Sequence, residues 1–294
     1  LCQYKVLMLS NSGCLSDGQV AAIREFVDRG GCLIATHETS LNDELGQHRG
    51  NFGLADVLGV DYTGSGNQGP VELEDGGMDP GESNIIVPQT EPLRQLFEHF
   101  VVFGARQSNI AIRSGSEPEI LFTKSGLQWK GTKNPLSDEF FDFAEVDSGQ
   151  PGLTRNRFGK GTAIYVCGDM GMGYYRNPLP QLKQLMECLA TTAPPAVEVE
   201  APAVIDLTAF IRQPGQLMVH LLNNPLPMLP WGTSREDRPT YFSVDELLPV
   251  HDVVIRLNDF KARAVSLPLR DRQLEPSADG KQIIVPELAL HEVV

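Results

Sequence analysis

Polar side chains crowd the end of an apolar run in the stretch GGCLIATHETSLNDE. His37, Glu38 and Ser40 lie within four positions of one another, just after the run Cys32–Ala35. A histidine near a hydroxyl and a carboxylate is the combination that activates a serine for ester or amide hydrolysis. An apolar run that ends in such residues is typical of the carboxyl end of a parallel strand, where open α/β sheets place their sites.

Two other strand ends complete the set of catalytic candidates. Ser12 follows the first apolar run of the chain, and Asp169 follows a later one. Ser12 or Ser40 would act as the nucleophile with His37 as its base. Glu38 or Asp169 would orient the imidazole. The chain has no GxSxG elbow, and serines at the start of loops usually make turn hydrogen bonds, so hydrolysis here is the alternative and not the leading hypothesis.

The same stretch carries side chains of the types that bind metals. The possible ligands are His37, Glu38, Asp43, Glu44 and His48. Imidazole and carboxylate groups suit zinc or a hard cation. However, His37 and Glu38 are adjacent on a backbone that passes from strand to turn, so their side chains should diverge, and HExxH spacing does not occur. We therefore expect neither a metal ion nor another cofactor, and we expect the acids to cap the following turn or to contact a neighbouring subunit.

The elements that must position these residues form a βαβ pattern. Residues 4–13 are an apolar run that ends in Ser-Asn-Ser-Gly, and residues 32–36 are a second strand. Between them, residues 15–31 predict a helix with Ser16 as its N-cap. Its buried face would consist of Val20, Ile23, Phe26 and Val27. A strand, helix and strand over this length imply a parallel sheet with a right-handed crossover.

Later segments extend the same pattern. Further strands and helices are predicted within 51–64, 83–100, 109–115, 119–126, 162–167 and 179–193. The Phe-Gly-Lys-Gly stretch before 162 indicates a hairpin turn. Residues 64–84 are rich in Gly and acids and predict mostly loop, while 127–150 predict a long surface insertion.

The length of 294 residues exceeds what one compact core usually holds, so two domains are expected. The composition shifts to Pro, Val and Glu at 194–202, which places the boundary there. We expect an α/β domain over 1–195 and a small all-β sandwich over 203–294. The short β-type segments of the second domain are 216–224, 250–257, 262–269 and 281–288.

The charge of the chain argues against two classes of partner. The net charge of −14 argues against nucleic acid or an anionic membrane as a partner, since both favour basic patches. No apolar run approaches the ~20 residues of a membrane span.

The five cysteines are an odd number without a CxxC pair, and Cys32 and Cys167 fall in apolar strands. We expect buried free thiols and a reducing compartment, the cytoplasm.

With these elements in place, the stretch YKVLMLSNSGCLSDGQVAAIREFVDRGGCLIATHETSLNDE resembles the beta-galactosidase trimerisation domain. The later GxGxxxYVxGD pattern at Gly159–Asp169 and the stretch LMVHLLNN are similar to that family as well. The resemblance implies a flavodoxin-like, doubly wound parallel sheet related to the class I glutamine amidotransferases, followed by a β-sandwich. It also implies a TIM-barrel glycoside hydrolase domain upstream, which would carry the catalytic carboxylates. The start at Leu1 indicates either a removed leader or the back part of a longer polypeptide.

The resemblance also defines what His37 replaces. In the amidotransferases a Cys occupies a sharp strand-to-helix turn in a Gly-x-Cys-x-Gly frame, and His37 stands at the matching turn without either glycine. We therefore expect no glutaminase activity and a turn that has lost its strained frame. The leading hypothesis is a non-catalytic oligomerisation and scaffold part of a glycoside-hydrolase-like protein, assembled as a homo-oligomer. A carbohydrate-binding module that uses Trp129 and Trp231 is the third hypothesis.

Overall fold

The computed structural model describes most of the chain. The described residues are 1, 3–66, 71–72, 78–79, 85–98, 101–102, 106–129, 143–176, 179–190, 195–202, 204–224 and 246–294. The chain divides into two compact units, Leu1–Ala193 and Pro194–Val294. Most of the loop predicted over 64–84 and the middle of the insertion predicted over 127–150 lie outside the described residues.

The first unit combines strands with short helices. Its strands are β1 (Val6–Leu9), β2 (Cys32–Thr36), β3 (Val60–Ser65), β4 (Val71–Glu72), β5 (Met78–Asp79), β6 (Ile85–Pro88), β7 (Val101–Val102), β8 (Ser108–Ile112), β9 (Glu119–Trp129), β10 (Phe143–Phe158) and β11 (Gly161–Val166). Its helices are α1 (Asp17–Asp28), α2 (Ala55–Leu58), α3 (Glu91–Leu96), α4 (Met170–Arg176) and α5 (Pro180–Ala190).

The predicted βαβ unit is confirmed. β1 and β2 pair in parallel, and α1 connects them. Ser16 caps α1, since its Oγ accepts a hydrogen bond from the Gln19 main chain while the Gln19 side chain accepts one from the Ser16 main chain. The buried residues of α1 are Val20, Ile23, Phe26 and Val27, as its helical periodicity predicts. They join the hydrophobic core that the main sheet shares with the helices of this unit.

The main sheet is mixed, in the order β1-β2-β11-β10-β9-β6-β7. β1 pairs with β2 in parallel, and β2 pairs with β11 in parallel. β11 pairs with β10 in the antiparallel sense, and every pairing beyond β10 is antiparallel as well. The predicted doubly wound parallel sheet therefore holds for one side of the sheet only. The hairpin at Phe158–Gly161 explains the change, because a two-residue turn joins only antiparallel strands.

The prediction of a surface insertion over 127–150 is wrong at both ends of that range, where the structure has strands. β9 continues to Trp129, and β10 starts at Phe143, which pairs with Trp129. The acids at 145 and 147 alternate with other residues, and such alternation also fits one face of a strand. Composition alone did not separate a long hairpin from a loop.

The second unit consists of short antiparallel strands. They are β12 (Val197–Glu200), β13 (Ile205–Gln213), β14 (Gln216–Asn223), β15 (Val250–Leu257), β16 (Val265–Leu267), β17 (Arg272–Leu274), β18 (Gln282–Leu288) and β19 (His291–Val293), with a 3-10 turn at Pro268–Arg270. One sheet has the order β12-β15-β18, and another has the order β13-β14-β19. Side chains from both sheets form one buried core, which is the layer arrangement of a β-sandwich. None of the described helices has the length and apolar character that a membrane-crossing segment needs.

Candidate functional site

The carboxyl ends of the parallel strands meet at one edge of the main sheet. Asn11 follows β1, His37 follows β2, and Asp169 follows β11. Asn11 connects them, since its Nδ2 donates to Asp169 Oδ2 at 2.9 Å and its main-chain N donates to Thr36 Oγ1 at 2.9 Å. Its Oδ1 accepts a hydrogen bond from the Glu38 main chain at 3.3 Å. The predicted strand-end residues are therefore held together by a side chain that sequence reasoning did not select.

The backbone of His37 adopts a left-handed conformation with a φ of 50°. This region is costly for a residue with a Cβ, and it persists where surrounding contacts hold it. The His37 main-chain N donates to Val166 O at 2.8 Å, and its O accepts from the Tyr165 hydroxyl at 2.7 Å. The expected loss of a strained turn is therefore wrong. The strain remains without flanking glycines, although β2 leads into a turn and not into a helix.

The His37 imidazole contacts a hydroxyl that the sequence did not identify. Its Nδ1 lies 2.9 Å from Ser108 Oγ, and its Nε2 lies 4.0 Å from Glu38 Oε1. The first distance is a hydrogen bond, whereas the second is too long for one. A serine, a histidine and a carboxylate thus stand in the order of a hydrolytic triad. However, His37 is 4% exposed and Ser108 is fully buried, so the hydroxyl has no access to solvent.

Burial lowers the pKa of His37 below its ordinary value, and burial is the largest influence on it. The nearby carboxylates Glu38 and Asp169 act in the opposite direction, while the Arg106 guanidinium lowers this pKa further. The imidazole is consequently neutral around physiological pH. A neutral imidazole has the protonation state of a general base, but a substrate would have to enter a closed site to use it.

The predicted nucleophiles lie elsewhere in the turn. Ser40 Oγ accepts a hydrogen bond from the Leu54 main chain at 3.2 Å, and the Ser40 main-chain N donates to Ser12 O at 2.9 Å. Within the described part of the chain, no hydrogen bond joins Ser12 or Ser40 to His37. Both serines serve the local turn structure, as serines at the start of loops commonly do.

The side chains considered as metal ligands also serve local turns. Asp43 Oδ1 accepts hydrogen bonds from the main chains of Leu45 and Gln47, at 2.9 and 2.8 Å. His48 Nδ1 accepts one from the Gly50 main chain at 2.9 Å. Among the residues that the structure describes, no three His, Cys, Asp or Glu side chains converge on a point where an ion would fit.

The described cysteines are free thiols; Cys32 is the first residue of β2, and Cys167 directly follows β11. Cys32 and Cys167 are buried, as their positions in apolar runs predict. Burial raises the pKa of the Cys167 thiol to about 11, so it remains protonated and is not a nucleophile. No described thiol therefore takes the place of the amidotransferase cysteine at this edge of the sheet.

Comparison with known proteins identifies the architecture. No family model matches the chain, and no curated protein matches it either. Among solved structures, an alpha-L-fucosidase from Paenibacillus thiaminolyticus matches 99% of the chain with a TM-score of 0.69 and 18% identity. The fold is one found within glycoside hydrolases.

Two beta-galactosidases match in the same way. The enzyme from Bacillus circulans sp. alkalophilus matches 99% of the chain with a TM-score of 0.57 and 16% identity. The enzyme from Rahnella sp. R3 matches 100% of it with a TM-score of 0.55 and 14% identity. The chain spans 40% of the fucosidase and 33% of each of these two beta-galactosidases, so it corresponds to a part of each protein. Identities this low establish the glycosidase-related fold and nothing about activity.

Proposed function

We propose that this chain is a non-catalytic scaffold and oligomerisation part of a glycoside-hydrolase-like protein. The observation that carries the proposal is the closed surrounding of His37. By the family resemblance this residue would stand where the amidotransferases hold their nucleophile. It is buried and hydrogen-bonded to the fully buried Ser108. A site of this kind offers no path for a substrate and no nucleophile to attack it.

The parent protein would carry the chemistry elsewhere. In this proposal a TIM-barrel domain of the parent holds the paired catalytic carboxylates. The match to the fucosidase supports this arrangement, because 60% of that chain lies outside the part that corresponds to this one. β1, α1, β2 and β11 would then be the remnant of a flavodoxin-like sheet of the beta-galactosidase trimerisation type. The left-handed backbone at His37 supports this relationship, because a strained turn at that position is also a feature of the amidotransferase-type fold.

A surface of the first unit is suited to contact another subunit. Met172 and Tyr175 are 41% and 48% exposed and lie three residues apart on α4, so they share one face of that helix. Met170 of the same helix is fully buried, and Tyr174 packs against the core of the unit. The helix is therefore anchored while it presents apolar side chains to solvent next to Asp169. We propose that this face contributes to a homo-oligomer interface of about 800 Å² or more per partner.

Two measurements on the purified chain test the scaffold proposal. Light scattering after size exclusion should give the mass of an oligomer at micromolar concentration. Nitrophenyl glycosides and nitrophenyl esters should show no turnover above buffer. Turnover that disappears in the His37→Asn variant would contradict the non-catalytic role, and a monomer at every concentration would contradict the oligomerisation role.

Hydrolysis remains a second candidate function because one observation favours it. The His37 imidazole does contact a hydroxyl, and Glu38 lies beside its other nitrogen. Opening of the turn would expose Ser108 as the nucleophile. A fluorophosphonate probe, which labels activated serines, tests this candidate by peptide mass mapping. We expect no label on Ser108, and stoichiometric labelling there would establish the hydrolase instead.

The remaining proposals concern sugar binding and location. The third hypothesis, a carbohydrate-binding module, relies on two tryptophans. Trp231 lies outside the described residues, and only the main chain of Trp129 is described. We also propose the cytoplasm as the location, supported by free Cys14, Cys32 and Cys167.

A further inference from the structure

A cavity of about 570 Å³ opens within the second unit. It is bordered by the Gly215 turn between β13 and β14 and by the segment from Phe260 to Ser266. Its volume falls in the range of about 300–1,000 Å³ that is typical of small-molecule sites. All of the described residues that line the cavity belong to this unit.

The deep wall of the cavity is part of the hydrophobic core. Val219, Leu257, Val265 and Ile283 are buried core residues of the second unit, and each of them also lines the cavity. Phe260 and Leu217 are partly buried, pack against the same core and also line the cavity. The core therefore continues into an accessible apolar surface between the two sheets. An apolar group placed there would gain the free energy of removing this surface from water.

Two cations belong to the lining of the cavity. They are Lys261 and Arg263, and among the described residues no Asp or Glu side chain lines it. Within the described ranges of the chain neither cation takes part in an ion pair, and both are exposed. In a chain with a net charge of −14, two unpaired cations at an apolar cavity select for an anion. Arg263 in particular can hold a carboxylate through two parallel hydrogen bonds.

The remaining lining limits which ligands fit. Among the residues that the structure describes, its neutral polar side chains are Gln216 and Ser266. Two such groups are too few to satisfy the hydroxyls of a buried sugar ring, whose unpaired groups would each be costly. On another side the main chain of Val294 is already paired with that of Val219. The buried part of the described lining is therefore apolar, whereas its charged and neutral polar side chains are exposed.

We propose that this cavity binds an amphipathic carboxylate with a single unbranched acyl chain. Its head group would bind Lys261 and Arg263, and its chain would lie along Phe260, Leu257 and Ile283. This site is independent of the His37 turn and of the scaffold role, so its presence or absence leaves that proposal unaffected.

Calorimetric titration of the intact chain with octanoate and with 1-octanol tests the proposal. The two probes share the apolar chain and differ in the charge of the head group. We expect octanoate to bind at least about tenfold more tightly than 1-octanol, because only the carboxylate engages the two cations. Equal affinity for the two probes, or no binding of octanoate, would overturn the proposal.

Paired variants locate the site. Arg263→Glu should weaken octanoate binding by at least about tenfold, whereas Arg272→Glu, which makes the same charge change at an exposed position outside the cavity, should leave it within about twofold. Ala264→Trp adds a bulky side chain at a lining residue without changing charge and should weaken octanoate binding by at least about tenfold. Thermal melts of each variant show whether the unit remains folded. Equal effects of the two arginine variants, or full binding in a folded Ala264→Trp variant, would show that octanoate binds elsewhere.

Discussion

The Nδ1 atom of His37 lies 2.9 Å from the Oγ atom of Ser108, across 71 residues of sequence. This hydrogen bond ties the turn after β2 to the first residue of β8. The Ser108 main-chain N also donates to Cys167 O at 2.8 Å, so Ser108 bridges the ends of β2 and β11. Because both side chains are buried, neither can exchange its partner for water. The pair thus holds together the edge of the sheet where a catalytic site would otherwise open.

Removal of the Ser108 hydroxyl should destabilise the first unit. Ser108→Ala leaves an imidazole nitrogen buried without a partner, which costs about 1–3 kcal/mol of the free energy of unfolding. Urea denaturation measures this change. The control is Ser65→Ala, which removes an exposed hydroxyl and should cost under about 0.5 kcal/mol. A similar loss of the free energy of unfolding in both variants would show that the His37–Ser108 hydrogen bond stabilises the unit no more than an exposed hydroxyl does.

The left-handed backbone at His37 predicts how the stability of variants at this position depends on the residue introduced. Asn tolerates this conformation, whereas the β-branched Val does not. Both substitutions remove the imidazole, so the difference between them reports the cost of the left-handed backbone together with the change in side-chain polarity beside Ser108. We expect His37→Val to be less stable than His37→Asn by about 1–2 kcal/mol in the free energy of unfolding. Equal stability of the two variants would indicate a relaxed backbone at this turn.

Stability should fall as the pH falls, through the titration of His37. Its pKa in the folded protein is lowered by burial, so the folded state binds fewer protons than the unfolded state in this range. The contribution of His37 is fully present above the ordinary histidine pKa of about 6.5, and it is lost progressively below that value. Between about pH 8 and about pH 5, the free energy of unfolding should therefore decrease more for the wild type than for His37→Asn, as measured by urea denaturation at each pH. Parallel pH profiles would contradict this assignment.

The proposed subunit contact predicts a position-specific effect on assembly. Met172→Glu places a charge within the exposed face of α4 and should reduce the mass seen by light scattering. Leu96→Glu is the matched control, because Leu96 is also 41% exposed and also lies on a helix. We expect the control to keep the mass of the wild type. Dissociation by both variants, or by neither, would place the interface elsewhere.

The free thiols should differ sharply in reactivity. Cys14 is exposed, whereas Cys167 is fully buried with a pKa raised to about 11. Iodoacetamide at about pH 8 should alkylate Cys14 and leave Cys167 unmodified, since only an accessible thiolate reacts. Peptide mass mapping measures the two sites in one experiment. Rapid alkylation of Cys167 in the folded protein would show that the site is open.

The local sequence pattern was sufficient to predict several elements of the first unit. The 3.6-residue periodicity of α1, its Ser16 cap and the apolar run of β2 all appear in the structure where the sequence predicts them. Each depends on neighbours within a few positions, and such signals are complete in a short window of sequence. The position of His37 at a strand end was predictable for the same reason.

The partners of that histidine were decided by tertiary structure alone. Ser108 bonds the imidazole, and Asn11 bonds the main chain of the neighbouring Glu38. Both reach the site through strand order, and no spacing rule connects them to His37 in the sequence. The change from a parallel to an antiparallel sheet beyond β11 likewise depends on which strands pair over long separations. Residue types and local periodicity determined where a site would be expected. Burial and long-range hydrogen bonds, which exist only once the sheet is assembled, decided that this one is closed.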